Sequence, residues 1–416
     1  MKSIKNKLTL ATCTLLSQQS GDALAIENAW EIDTSALYYS EADDRVSVAK
    51  FVAAVGGDVT DRDRVNIQAV LDTMSGSTPS GAVIGSGGGE TVSGASGGGG
   101  TGVSDPNASA LAHFDDTRLA NSLTWTHAYD NNWTIDYNGA VSIENDWRSY
   151  SAAVTVNKET AKKDYRFTVG LAGTYDEIYR VGTGGTPVPL TQIADNQSAG
   201  EGQRNTTDLI LGLTHIINRR TVAQVNLAYS ISNGYHTDPY KVFSVVDEAT
   251  GIVIDDSSYY EGRPGSRNRT SITFKLNHQT YPSNNIIHVA YRYYTDDWDV
   301  DSHTLDMNYR ITFANTSYLE PSLRLYQQSK ANFYQNQFYV DNAAGLDPTA
   351  LFPEYISADY RLDDMTSVTP GIRYGSEIGK DGHLRARLEY MSQEFEHSDF
   401  DTNKAIIFQI AYSKRF

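Results

Sequence analysis

The chain has a single cysteine, Cys13, and it lies in a segment with the marks of an export signal. Once that segment is removed, no disulfide, thiolate metal site or Cys-x-x-Cys-His haem attachment can form. No apolar run approaches about 18 residues, so no transmembrane helix is predicted. Bases are scarce relative to acids, 34 Lys and Arg against 51 Asp and Glu, which argues against a nucleic-acid partner. The glycine-rich stretch Gly85 to Gly102 carries no GxxxxGK[ST] and precedes no helical pattern, so it is not a phosphate cradle. No GxSxG nucleophile motif occurs either.

Tyrosine, by contrast, is abundant: 27 residues in 416. Tyr and Trp collect at membrane interfaces, where an apolar ring and a wet polar tip are both satisfied. At the amino terminus Lys2, Lys5 and Lys7 precede an apolar stretch, Leu8 to Leu16, and Ala23-Leu24-Ala25 forms a small-x-small cleavage site. Residues 1–25 are therefore expected to be a cleaved signal peptide and 26–416 a single domain. Thr12 before Cys13 and the short apolar region argue against lipidation. Cleavage removes three lysines and Asp22, shifting the net charge from −17 to −19. Such a surface suits outer-membrane lipids and lipopolysaccharide, whose phosphates are bridged by divalent cations.

Ile406, Phe408, Ile410, Tyr412 and the last residue, Phe416, alternate with Ile407, Gln409, Ala411, Ser413 and Arg415. This resembles the closing strand of a bacterial outer-membrane β-barrel. Period-2 segments recur upstream, beginning near Trp30, Arg45, Arg64, Arg118, Trp133, Tyr150, Tyr165, Thr207, Thr221, Arg269, Ile286, His303, Tyr318, Ser367, Leu384 and Ala405. The pattern predicts an all-β, transmembrane, antiparallel up-and-down barrel in the outer membrane. It has about sixteen strands, and fourteen or eighteen would keep both ends periplasmic. Short turns alternate with long outer connections at about 76–115 (with the flexible glycine tract), 176–205, 233–267 and 335–365. Pro321 and Pro370 fall within late strands, where local bulges are expected because proline cannot donate to a ladder.

Inward positions of the later strands collect cations: Arg267, Arg269, Lys275, Arg292, Arg310, Arg324, Arg373, Arg385 and Arg387, with Asp306, Glu320 and Glu389 among them. Early strands are more acidic, with Glu31, Asp33, Asp72, Asp136, Glu144 and Asp208 against Arg64 and Arg166. Fixed charges of this kind either brace a wide barrel or select which polar solutes pass, and both roles are compatible. Asp297, Asp299 and Asp301 alternate in an acidic outer connection, a candidate calcium site without the EF-hand glycine or distal glutamate. His303 beside Asp301, and His397 beside Asp399, are the candidates for a rim hydrolase. Without a nucleophile motif the chain is read as non-enzymatic, with no catalytic set and no cofactor.

WEIDTSALYYSEADDRV (Trp30–Val46), LDTMSGSTPSGA (Leu71–Ala82), GYHTDPYKVFSV (Gly234–Val245), EGRPGSRNRTSI (Glu261–Ile272), YRYYTDDWDVDSHT (Tyr291–Thr304), PSLRLYQQSKANFY (Pro321–Tyr334) and YISADYRL (Tyr355–Leu362) occur in this order. Together they resemble a family of bacterial outer-membrane barrels known chiefly as a domain of unknown function. The resemblance implies one exported barrel and an envelope context, with a periplasmic lipoprotein or redox protein as partner. Its segments cluster at outer strand ends, which points to a vestibule around Arg263, Arg267, Asp297, His303 and Arg361. The expected function is a channel or vestibule for a small polar or anionic solute. An envelope-assembly component, with a plugged barrel docking a partner, is the alternative.

Overall fold

The computed structural model describes residues 30–43, 45–83, 109–182, 185–195, 197–313, 316–341 and 347–416. The expected signal peptide and the glycine tract from 85 to 102 lie outside the described residues. The first nine strands are β1 (Trp30–Glu41), β2 (Val46–Asp58), β3 (Asp63–Val83), β4 (Ser109–Tyr129), β5 (Trp133–Ile143), β6 (Trp147–Glu159), β7 (Tyr165–Ile178), β8 (Gly202–Asn218) and β9 (Thr221–Gly234). After the short β10 (Val242–Asp247) and β11 (Val253–Tyr260) come β12 (Ser266–Gln279), β13 (Ile286–Asp296), β14 (Asp301–Phe313) and β15 (Ser317–Gln328). The chain ends with the short β16 (Phe338–Val340), then β17 (Met365–Ile378), β18 (Gly382–Phe395) and β19 (Thr402–Arg415).

Sixteen of these strands form one closed antiparallel barrel, sealed where β1 pairs with β19 from Glu31 opposite Arg415 to Glu41 opposite Ala405. Closure leaves the sheet without an open edge, the condition for a β-structure to sit in lipid. The exterior is apolar: Tyr38, Phe51, Leu71, Leu171, Phe274, Leu388 and Phe408 are all exposed. The alternate residues face inward and are mostly polar. This inversion, greasy outside and wet inside, is the patterning of a membrane-spanning barrel.

Three features differ from the sequence expectation. The segment 76–115 is strand at both ends, because β3 runs to Val83 and β4 starts at Ser109. Ser77 to Ala82 lacks lipid-facing apolar residues because this extension packs on protein: Thr78, Ser80 and Ala82 are buried. Gly81 adopts φ +95°, and a Cβ there would stand 2.2 Å from the Val242 carbonyl oxygen. Only glycine allows that approach.

Second, Pro321 and Pro370 produce no bulge. Pro321 pairs with Ile372 and Pro370 with Leu323 across β15–β17, while pairing lapses on their other sides and resumes in unchanged register. In an antiparallel ladder each N–H serves one neighbour, so a proline sacrifices one partner without displacing the chain.

Third, the connections 233–267 and 335–365 are folded. β10 pairs antiparallel with β11 and parallel with β16. Phe243, Val245, Tyr259, Val340, Ile356 and Ala358 form their core. Trp298, Val300, Ala331, Phe333, Tyr334 and Leu362 form a second one. The long connections thus build a packed cap at the end of the barrel opposite the short turns. The even-numbered turns at the other end stay short, as at Asp130–Asn132, where Asn131 and Asn132 take positive φ.

Candidate functional site: a capped, arginine-lined lumen

A cavity of about 920 Å³ lies between the cap and the barrel wall. Its roof comes from cap residues such as Asp238, Tyr240, Arg263, Asp359 and Arg361, and its walls from inward strand positions including Asn226, Arg269, Arg324 and Glu389. A second cavity of about 380 Å³ lies lower, lined by Asp33, Gln68, Arg310, Arg385 and Gln409 among others. Arg373 and Arg387 line both.

The roof is held by buried charge. Arg263 contacts Glu261 at 2.6 Å and Asp359 at 2.9 Å, and Arg361 donates to Asp359 and, at 3.0 Å, to Asp238. Lys241, fully buried, donates to the Pro79 carbonyl at the top of β3 and lies 3.8 Å from Asp359. Burial alone would raise the Asp359 carboxyl, but Arg361, Lys241 and Arg263 outweigh it and hold it well below the usual range. Burial lowers the Lys241 ammonium to about 8 against the pull of Asp359. Charges taken out of water survive only when paired and hydrogen-bonded, and here three bases meet three acids. The network ties three connections and β3 into one lid.

The lower lumen is looser. Glu320 accepts from Arg310 at 2.8 Å and from Arg373 at 2.7 Å, a brace across β14, β15 and β17. Arg324 is 3.7 Å from Asp306, Arg385 is 3.7 Å from Asp33, and Arg387 is 3.3 Å from Glu389. The Nε atoms of Arg385 and Arg387 have no hydrogen-bond partner. Arg292 lines the upper cavity, its guanidinium 5.5 Å from the Tyr294 ring. Lys275 lies on the inward alternation of β12, opposite Gln224 and Ala290. The lumenal residues expected from sequence therefore fall on one continuous inner surface, some as braces and some with donors to spare.

The vestibule candidates divide. Arg263 and Arg361 belong to the roof, and Arg267 lines the upper cavity while gripping Asp296 through Nε at 2.8 Å. Asp297 accepts from the Asn268 amide and side chain, both at 2.9 Å. His303 faces outward instead. It is exposed, bonds the Tyr291 hydroxyl at 2.7 Å and packs against Tyr293, within the exterior aromatic belt. The strand alternation that sends Asp306 inward sends His303 out.

The calcium candidates do not converge. Asp299 sits at positive φ and accepts from Asn332 at 3.2 Å, Asp301 accepts from Tyr293 at 3.0 Å, and Asp297 is held by Asn268. Among the described residues the acid-rich clusters are elsewhere, at Asp116, Glu144 and Asp146 and at Asp363, Asp364 and His397. His397 pairs with Asp363 at 2.9 Å, whereas Asp399 accepts from Gln337. Sequence reasoning also missed Arg118 and Arg204, which are buried against Asp72 and Asp176. Arg204 begins in what read as a loop, so its inward register was hidden.

Solved structures similar to the chain include a bacterial polysaccharide outer membrane secretin (TM-score 0.45, 9% identity, 94% of this chain and 99% of that one). The CymD monoaromatic hydrocarbon channel (0.42, 7%, 94% and 89%) and OccD1 (OprD) (0.43, 7%, 96% and 98%) are also similar. No curated protein matches by sequence. A family model described as a protein of unknown function, DUF3570, matches residues 5–407, and the chain belongs to that family.

Proposed function

We propose that the protein is an outer-membrane channel that admits a small polar or anionic solute through its capped lumen. The observation that carries this reading is the arginine lining of the inner wall, where Arg373 and Arg387 border both the upper and the lower cavity. The apolar exterior supports an outer-membrane location. Bases exposed on a lumen wall favour anions. The roof makes the upper cavity a vestibule in which a solute is held before it moves on. Reconstitution in planar bilayers is the test. Single-channel conductance with chloride more permeant than potassium is expected, and a barrel that never conducts contradicts the proposal.

A further inference from the structure

One arginine in the upper cavity differs from its neighbours. Arg204 is locked to Asp176 and packs 4.7 Å from the centre of the Trp147 ring, and Arg267 is locked to Asp296. Arg269 is only 7% exposed and lines the same cavity, yet its Nε has no hydrogen-bond partner and no carboxylate is in ion-pair contact with it among the described residues. A buried donor left without a partner costs about 1–3 kcal/mol, more when charged, so such a group in a binding cavity calls for explanation.

The pairing register shows what surrounds it. On β13 Arg269 stands opposite Asp296, whose carboxylate is taken by Arg267, Tyr294 and the Trp298 and Val300 amides. On β9 it stands opposite Ser230, and Ser230 opposite Asp208, so β12, β9 and β8 present guanidinium, hydroxyl and carboxylate at one level of the wall. Arg269 and Asp208 feel each other's charge, but a whole strand separates them, roughly 9–10 Å between backbones. Lower on the same inner face, opposite Thr273, lies Asn226. It is 4% exposed and its Nδ2 also lacks a partner. Its Oδ1 already accepts from Gln224.

We infer that Arg269, Ser230 and Asp208 form a recognition site for a small monocarboxylate carrying a hydroxyl or ammonium donor. This rests on the channel reading for the solute's route but not for its binding. A planar carboxylate takes two donors from a guanidinium. Arg204 and Arg267 are held by Asp176 and Asp296, which leaves the Arg269 guanidinium as the group at this level with a donor to offer a carboxylate. A doubly charged phosphate would bring a second negative charge towards the Asp208 carboxylate at the same level of the wall, which disfavours it. The Asp208 carboxylate, with Ser230 beside it, accepts from a hydroxyl or ammonium on the rest of the ligand.

Titration calorimetry of the full barrel in detergent micelles tests this, with gluconate, glutamine, propionate, inorganic phosphate and glucose as probes. Gluconate, glutamine or both are expected to bind more tightly than propionate, phosphate or glucose, and the stronger of the two identifies the donor as hydroxyl or ammonium. Arg269→Gln should weaken that binding at least tenfold without lowering the unfolding midpoint, because no protein partner is lost. Asp208→Asn should reduce the donor-bearing ligand to the level of propionate. The inference is overturned if no carboxylate binds the wild type, if Arg269→Gln binds as well as wild type, or if phosphate binds as tightly as the carboxylates. Conductance measured on the same preparation separates the two claims. A barrel that conducts but binds no carboxylate overturns this site alone, and one that binds but does not conduct overturns the channel.

Discussion

The roof and the floor of the lumen use the same residue types for opposite ends. In the roof, the side chains of Lys241, Arg263 and Asp359 are 0%, 2% and 1% exposed, and each stands in ion-pair contact with an opposite charge. In the lower lumen, the side chains of Arg373, Arg385 and Arg387 are 33%, 40% and 28% exposed, and Arg385 and Arg387 stand 3.7 and 3.3 Å from their carboxylates with Nε unpartnered. Paired, buried charge fixes geometry. Half-solvated charge contributes little stability, but it acts on whatever passes. The difference assigns shape to the cap and selectivity to the wall below it.

The comparison can be broken most sharply at Asp359. Asp359→Asn leaves Arg263 and Arg361 buried without their shared counter-ion, and the cap should lose about 3–5 kcal/mol. Urea unfolding in micelles, with limited proteolysis of residues 329–364, reads the loss. Equal resistance of wild type and variant would mean that the apolar clusters alone hold the roof.

The next largest effect is on pH. Lys241 titrates near 8 in the folded cap against 10.5 for the ordinary side chain, so between those values the unfolded chain holds a proton the folded cap has released. Stability should therefore rise with pH across this window, by at most about 1.4 kcal/mol per unit. Asp359, depressed in the folded state, works at the acid end: its contribution is present above the ordinary carboxylate range and is lost as pH falls below it. Urea midpoints at pH 7, 8.5 and 10, for wild type and Lys241→Met, check the first part. A rise that persists in Lys241→Met places its origin elsewhere.

The smallest effect belongs to the outside of the barrel. His303→Ala removes one ring from the exterior belt and should leave conductance unchanged, with stability altered by about 1 kcal/mol or less. A changed conductance would bring His303 back to the pore.

The barrel was legible because two signals repeat along the chain, strand alternation and the rhythm of short turns and long connections. The inner surface followed from the alternation, so Arg310, Glu320 and Arg373 were found together. The cap was not legible. Val242–Asp247 is buried on every residue and therefore has no alternation to read. Its partner β16 is three residues long and reaches it from almost a hundred positions away. His303 was misplaced because a histidine next to Asp301 resembles chemistry at short range, while its facing is decided by the phase of the whole strand. The acidic run from Asp296 to Asp301 misled similarly: its carboxylates cap turns and hold Arg267 rather than converge.

The central claim is that fixed positive charge low in the lumen governs what passes. Its most direct test is the reversal potential across a KCl gradient in planar bilayers, for wild type and for Arg385→Glu/Arg387→Glu. The wild type should show anion preference, and the double variant should shift towards cations while remaining folded. An unchanged reversal potential would contradict the account.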